Sequence, residues 1–341
     1  MTNQRPTPTL HDVAASAGVS TATVSRVLNF PDKVAPATRD KVQSAIADLG
    51  YSPNFGAKVM AARRTNTIGA IIPTMENAIF ARGLQAFQEE LRLHGFTMLV
   101  ASTSYQPDIE EEQIRALVAR GADALLLIGH ARSAEIYQFL EAQGIPTLIT
   151  WAFDKNAPRP SVGFDNQAAM HMMAKEVLAN GHKTIAMISA PTADNDRASA
   201  RLQGVKAAMA ETGLDPANLQ IIETGYAIEN GAIAFGQLMQ RSPRPTAVLC
   251  GNDVLAVGAL RQAHQMDIAV PGAVSIVGFD DIELAQITYP PLTTVHVPHK
   301  QMGRTAAQTL VKMVQQRTVA KAVALDVSLV LRGTLGPAPQ T

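Results

Sequence analysis

Residues Thr9 to Asn29, TLHDVAASAGVSTATVSRVLN, constrain this chain more than any other segment. Leu10, Val13, Ala14 and Ala17 repeat at helical spacing, and Gly18 follows where a helix leaves through a left-handed residue. Thr9 is placed to cap that helix, with Asp12 three residues on facing its positive end. Asp is a weaker capping-box partner than Glu or Gln. Val19 staples the turn and Ser20 is the next cap. A second helix is predicted from Thr21 to Leu28, with Val24, Val27 and Leu28 inward and Thr21, Ala22, Ser25 and Arg26 outward. Two short helices joined by a glycine turn, the second with a small polar leading edge, suit a helix presented to the major groove of DNA; an ordinary packed helix pair is the plainer alternative. Arg26 can donate two hydrogen bonds to a guanine, and Ala22 can pack on a thymine methyl. Thr23, Ser25 and Asn29 are short donors suited to phosphate oxygens.

A third helix is predicted over Pro36 to Leu49, where Val42, Ala45, Ile46 and Leu49 fall at i, i+3, i+4 and i+7 before Gly50. Ala35 precedes it, so this helix lacks a side-chain cap, at a cost of about 1 kcal/mol. The charge is unevenly spread. Residues 1–66 hold Arg5, Arg26, Lys33, Arg39, Lys41, Lys58, Arg63 and Arg64 against Asp12, Asp32, Asp40 and Asp48. The whole chain has a formal net charge of zero, so the remainder is acidic by the same margin. A basic end on an acidic body suits phosphate binding by that end.

After the third helix comes LGYSPNFGAKVMAARRTNTIGAIIP, Leu49 to Pro73. With TLHDVAASAGVSTATVSRVLN before it, this segment resembles the LacI/GalR family of transcriptional repressors, and the resemblance runs over nearly the full chain. It implies an all-α helix-turn-helix headpiece over residues 1–52, a hinge helix and linker over 53–66, and an effector-binding and dimerisation core over 67–341. The core is expected to be α/β and periplasmic-binding-protein-like. In the family the hinge orders on DNA and pushes an apolar side chain into the minor groove. The wedge is usually leucine; here that position is Met60, a softer side chain. Ala57 would line the same surface. The alternative is a plain linker, since a helix as short as Asn54 to Ala62 is marginal in isolation. The candidate DNA-binding set is Thr9, Leu10, Ser20, Thr21, Ala22, Thr23, Ser25, Arg26, Asn29, Tyr51, Asn54, Ala57 and Met60.

From Thr67 the pattern changes. TIGAIIP (67–73), FTMLVAS (96–102), ADALLLIG (122–129), PTLITW (146–151), TIAMISA (184–190), LQIIETG (219–225), TAVLCG (246–251) and VSIVGFD (274–280) read as buried parallel strands. Amphipathic stretches fill the gaps, giving two doubly wound parallel-sheet subdomains. The boundary is expected near 164, with further crossings near 285–295 and 320–330, and helix 298–316 is assigned to the first half. Ligands in such folds sit at the carboxyl ends of strands, between the halves. The candidate effector-binding residues there are Thr74, Phe80, His130, Trp151, Arg201, Asn252 and Asp280. Arg201, three before Gly204, matches the arginine that grips the effector in the family, and Asn252 and Asp280 match polar residues that bind sugar hydroxyls. Trp151 would offer a flat apolar face. Each has a plainer role open to it: Arg201 as a solvated helix residue, Asn252 as a helix cap, Asp280 as a turn residue, Trp151 as core. His130 and Arg201 favour an anion. The histidine after LLLIG and the tryptophan after PTLIT resemble the gluconate-responsive branch, which implies a sugar acid such as gluconate or a phosphorylated form.

The partners so implied are a pseudo-palindromic double-stranded DNA operator, a small sugar-type effector and a second copy of the chain. The tail RGTLGPAPQT has no leucine heptads, which favours a homodimer over a coiled-coil tetramer. A co-repressed regulator of the purine-repressor type, needing its ligand to bind DNA, is the alternative. No nucleophile–base pair, metal cluster or phosphate loop stands out, so no enzyme, cofactor or metal is expected. The single Cys250 lies in an apolar run and reads as a buried thiol. No apolar stretch is long enough to span a bilayer, and no signal region precedes the headpiece, so a cytoplasmic location is expected.

Overall fold

The computed structural model describes residues 8–52, 64–76 and 78–340. The chain forms two compact units, Met1–Thr65 and Asn66–Thr341.

The first unit holds helices α1 (Leu10–Ala17), α2 (Thr21–Asn29) and α3 (Pro36–Leu49). Thr9 and Asp12 form a full capping box: Asp12 N donates to Thr9 Oγ1 at 3.3 Å and Thr9 N to Asp12 Oδ2 at 2.8 Å. The shorter Asp thus closes the box that glutamate usually closes. Gly18 takes the left-handed conformation (φ 67°) that ends α1 and turns the chain into α2. Ala35 makes no side-chain cap to α3, as its methyl requires. Val13, Ala14, Val24, Val27, Val42, Ala45 and Tyr51 make the core of this unit.

The second unit has two lobes. The first lobe carries a six-stranded parallel sheet in the order β11-β5-β4-β3-β1-β2. Its strands are β1 (Thr67–Ile72), β2 (Thr97–Ser102), β3 (Ala124–Ile128), β4 (Thr147–Thr150), β5 (Ser161–Gly163) and β11 (Val323–Ala324). Alternate residues feed opposite faces. Ile68, Ala70, Leu126 and Ile128 join the core beneath α4 (Ala78–Leu93) and α12 (His299–Gln316). Ile71, Leu125 and Leu127 face α5 (Pro107–Ala119) and α6 (Ala134–Ala142).

The second lobe carries the parallel sheet β7-β6-β8-β9 and the antiparallel pair β10-β12. These are β6 (Ile185–Ser189), β7 (Gln220–Glu223), β8 (Ala247–Cys250), β9 (Ser275–Val277), β10 (Thr294–His296) and β12 (Ser328–Val330). Helices α7 (Asn166–Ala179) and α8 (Asp196–Glu211) pack on one face. Helices α9 (Ile228–Met239) and α10 (Asp253–Gln265) pack on the other, and α11 (Leu284–Ile287) follows β9. Cys250 is a buried free thiol in β8, and burial pushes its pKa up.

The chain passes between lobes three times: after β5, between β10 and α12, and between β11 and β12. The middle crossing lies at 297–298 rather than near 285–295, because β10 stays with the second lobe through its ladder to β12. No described helix is long and apolar enough to cross a membrane.

Candidate functional site

On α2, Ala22 and Arg26 are exposed and Thr21 and Ser25 are partly so. The Arg26 side chain makes no hydrogen bond or ion pair among the described residues, so its guanidinium fork is available to a partner. Other candidates on this unit are engaged locally. Ser20 Oγ accepts from Thr23 N at 3.2 Å and lies 2.9 Å from Thr23 Oγ1. Asn29 Nδ2 donates to Ser25 O at 2.9 Å. Thr9 is held in its box, half-buried Leu10 packs on the core, and Tyr51 belongs to that core. Asn54, Ala57 and Met60 lie outside the described residues.

In the second unit, the strand ends of the second lobe gather a buried polar group around Arg201 of α8. Its Nε donates to Asn166 Oδ1 at 2.9 Å and its Nη1 to the Gly251 carbonyl at 2.6 Å. The guanidinium carbon sits 3.8 Å from the centre of the Phe279 ring, and Nη2 is 4.0 Å from Asp280 Oδ1. Asp280 is 1% exposed, and neither carboxylate oxygen accepts a hydrogen bond. Its backbone is left-handed (φ 103°), a strain that surrounding structure must hold in place. His299 Nε2 approaches the Asp280 carbonyl at 3.2 Å. Burial lowers the His299 pKa, so the ring stands neutral. Asn252 Oδ1 caps α10 through Leu255 N at 2.9 Å, while its buried Nδ2 has no partner. Asp253 braces the group: its oxygens accept from Thr294 Oγ1 at 2.6 Å and Ile282 N at 2.9 Å, and burial raises its pKa to about 8. Buried polar atoms are ordinarily paired. Unpaired acceptors on Asp280 and an unpaired donor on Asn252, buried at neighbouring strand ends, are the complement a hydroxyl-rich ligand would need.

The lobes meet across this group. The loop Ile128–Gly129–His130 after β3 seats on the start of α8: His130 N donates to Asp196 Oδ2 at 2.6 Å, and Arg197 Nη1 donates to the Ile128 carbonyl at 3.0 Å. Gly129 is left-handed (φ 72°), and a Cβ there would lie 2.0 Å from Arg197 Nη1. Buried Arg132 holds the loop from beneath, bonding the Gly129 carbonyl, the Ile128 carbonyl at 3.0 Å and Glu110 at 2.7 Å. Arg82 of α4 reaches the Asp281 carbonyl at 3.4 Å and pairs with Glu283.

Two cavities flank the seat. One, of about 730 Å³, is lined by Thr103, Tyr105, Arg132, Asn195, Arg197 and Tyr226 among others. The second, of about 810 Å³, is lined by His130, Tyr137, Arg159, Phe164, Asn166 and Arg197 among others. Tyr105 and Tyr226 approach one another from the two lobes with ring centres 5.7 Å apart. Burial pushes both phenol pKa values up, and both feel the charges of Arg197, Arg201 and Asp280.

The structure therefore brings Arg201, Asn252 and Asp280 together, buried behind the cavities and lining neither; their neighbour Asn166 lines the larger one. His130 lines the larger cavity, where burial lowers its pKa and leaves it neutral, so it offers a hydrogen bond rather than a charge. Trp151 and Phe80 pack edge to face, 5.3 Å apart, and line neither cavity. Trp151 is 2% exposed: its left-handed backbone (φ 58°) accompanies a ring packed under α4, where Gly83 leaves room. Thr74 is half-buried, accepts from Glu76 N at 3.1 Å and lines neither cavity. Tyr105, Asn166, Arg197, Tyr226 and His299 were not singled out by sequence. Tyr105 and Tyr226 follow β2 and β7, where the strand-end rule would have found them.

Comparison with known proteins agrees with this architecture. Residues 9–54 match the family described as bacterial regulatory proteins, lacI family, and residues 174–335 match the periplasmic binding protein-like domain. The HTH-type transcriptional repressor CytR of Escherichia coli (strain K12) is 32% identical over 338 residues, 98% of this chain and 98% of that protein. The HTH-type transcriptional regulator GntR of the same strain is 30% identical over 314 residues, 92% of this chain and 93% of that one. Among solved structures, the lac repressor dimer bound to operator and the anti-inducer ONPF superposes with a TM-score of 0.85 at 27% identity, covering 97% of this chain and 99% of that one.

Proposed function

The chain belongs to the LacI family of bacterial regulatory proteins, and from that premise we propose that it is a homodimeric operator-binding repressor induced by a sugar acid. DNA-binding regulation under a small-molecule effector is the common activity of this family; its members named above are regulators rather than enzymes. The observation that carries the finer reading is the buried group at the strand ends. The two unpaired oxygens of Asp280 call for a ligand that donates hydrogen bonds, and Asn252 Nδ2 calls for one that accepts. Hydroxyls do both. Guanidinium groups at the same place favour an acid among the polyols, and gluconate or its 6-phosphate meets both demands.

Pairing of two chains is supported by large apolar side chains left in solvent on both lobes: Leu93 at 73%, Ile287 at 76% and Tyr289 at 99% exposure. A symmetric pair would set two α2 helices on a pseudo-palindromic site, Arg26 and Ala22 reading bases. Met60 would serve as the minor-groove wedge, so Met60→Gly should weaken specific DNA binding far more than non-specific binding. The effector acts by binding one cleft state better than the other, and shifts DNA binding only by that difference.

A thermal-shift screen of the purified protein against sugars, sugar acids, sugar phosphates and nucleobases tests the effector assignment. Aldonic acids should raise the melting temperature most. A shift with nucleobases alone would replace this reading with co-repression of the purine type.

A further inference from the structure

We infer that Arg197, rather than Arg201, receives the acidic group of the effector and so sets a preference for acids over neutral polyols. The inference rests on the sugar-acid reading above. Arg197 and Arg201 stand four residues apart on α8, so both leave the same face of that helix, about 6 Å apart along its axis. Their guanidinium groups are not equally available. Arg201 spends Nε on Asn166 and Nη1 on the Gly251 carbonyl, and lies flat on Phe279. Its remaining nitrogen faces Asp280. A carboxylate could take the Arg201 fork only by displacing bonds already made.

Arg197 uses one nitrogen. Nη1 donates to the Ile128 carbonyl at 3.0 Å and to Asp196 Oδ1 at 3.1 Å. Nε and Nη2 have no partner among the described residues. Asp196 is itself anchored by His130 N and does not cover that second edge. The side chain is 11% exposed and forms part of the wall of both cavities. An arginine edge that is desolvated, held through one nitrogen and open on the other side is prepared for a carboxylate or phosphate. The effector then lies with its hydroxyls toward Asp280 and Asn252 and its acid group on Arg197. The Arg197 bond to Ile128 joins the lobes, so the same side chain that senses the acid also holds the cleft together.

Calorimetric titration of the full-length protein with gluconate and with sorbitol, its uncharged counterpart, tests this. The native protein should prefer gluconate roughly tenfold or more, the weight of a charge-assisted hydrogen-bond pair. In Arg197→Gln the acid-to-polyol ratio should collapse toward one, and Arg197→Lys should keep part of it. A ratio that survives in Arg197→Gln, with or without a parallel loss for both probes, would leave Arg197 a lobe contact only and overturn the assignment. Equal binding of the two probes by the native protein would overturn it too, while leaving a polyol-binding cleft intact. Binding of neither would sink the sugar-acid reading itself, and this assignment with it.

Discussion

The headpiece and the cleft solve opposite problems. On the headpiece, polar side chains meet within a few residues: Ser20 with Thr23, Thr9 with Asp12, Asn29 with Ser25. Its reading face is left in water, with Arg26 unengaged. In the cleft, Arg201 meets Asn166 from 35 residues away and Gly251 from 50, and the group they form is buried with oxygens unpaired. A surface that reads DNA can remain solvated until DNA arrives. A pocket that discriminates small molecules must be desolvated in advance, and it bears that cost in stability.

That contrast can be broken by mutation. Arg201→Ala should have the largest effect, removing two buried hydrogen bonds and leaving Asn166 and Asp280 without their cation. We expect a loss of about 3 kcal/mol in stability together with the effector response, read by denaturant unfolding and by DNA release. Operator binding by the surviving folded fraction should persist. Arg26→Ala should show the reverse: about 1–3 kcal/mol lost in binding specific DNA and an unchanged melting temperature, by gel shift and calorimetry. Asp280→Asn sharpens the claim that the pocket is held against stability. It should raise the melting temperature while weakening effector binding; a fall in both would mean that Asp280 is a structural turn residue. Gly129→Ala should cost about 1–2 kcal/mol and loosen the lobe seat, because its left-handed backbone and the Arg197 contact both exclude a Cβ. Ser20→Ala should cost only about 1 kcal/mol, confined to the headpiece.

The cleft should also carry a pH dependence between about pH 5 and pH 8. Asp253 has its pKa raised by burial to about 8, so the folded state holds a proton that the unfolded chain releases near pH 4. Its contribution is therefore complete in acid and is lost as pH rises through about 8. The core should melt at progressively lower temperature from pH 5 to pH 8, and Asp253→Asn should flatten that slope. A slope that remains in the variant would assign it to another group.

How much could be read from sequence follows the same divide. The headpiece was legible almost residue by residue, because caps, glycine turns and apolar spacing are local. Eight strands were legible as apolar runs, the short β9 among them because it lies within the longer run VSIVGFD. Strands β5, β10, β11 and β12 were harder: two or three residues each carry too little pattern, and pairing with distant partners creates them. In the cleft, the strand-end rule picks out Arg201, Asn252 and Asp280, which the structure places together. It also picks out Trp151, whose ring is covered by Phe80 and His299. Whether a side chain after a strand faces the cleft or the core depends on one backbone angle and on a neighbour such as Gly83, and neither is visible in a linear pattern. Arg197 escaped notice because its value lies in what Arg201 has already spent.

The central claim is that occupancy of the cleft controls the reading face of α2. It is tested most directly by fluorescence anisotropy of a labelled duplex, selected from a random pool by the full-length protein, titrated with that protein in the presence and absence of saturating gluconate. We expect DNA affinity to fall at least tenfold with gluconate, and the Arg201→Ala protein to bind DNA without responding. DNA affinity that stays constant while calorimetry shows gluconate bound would contradict the account.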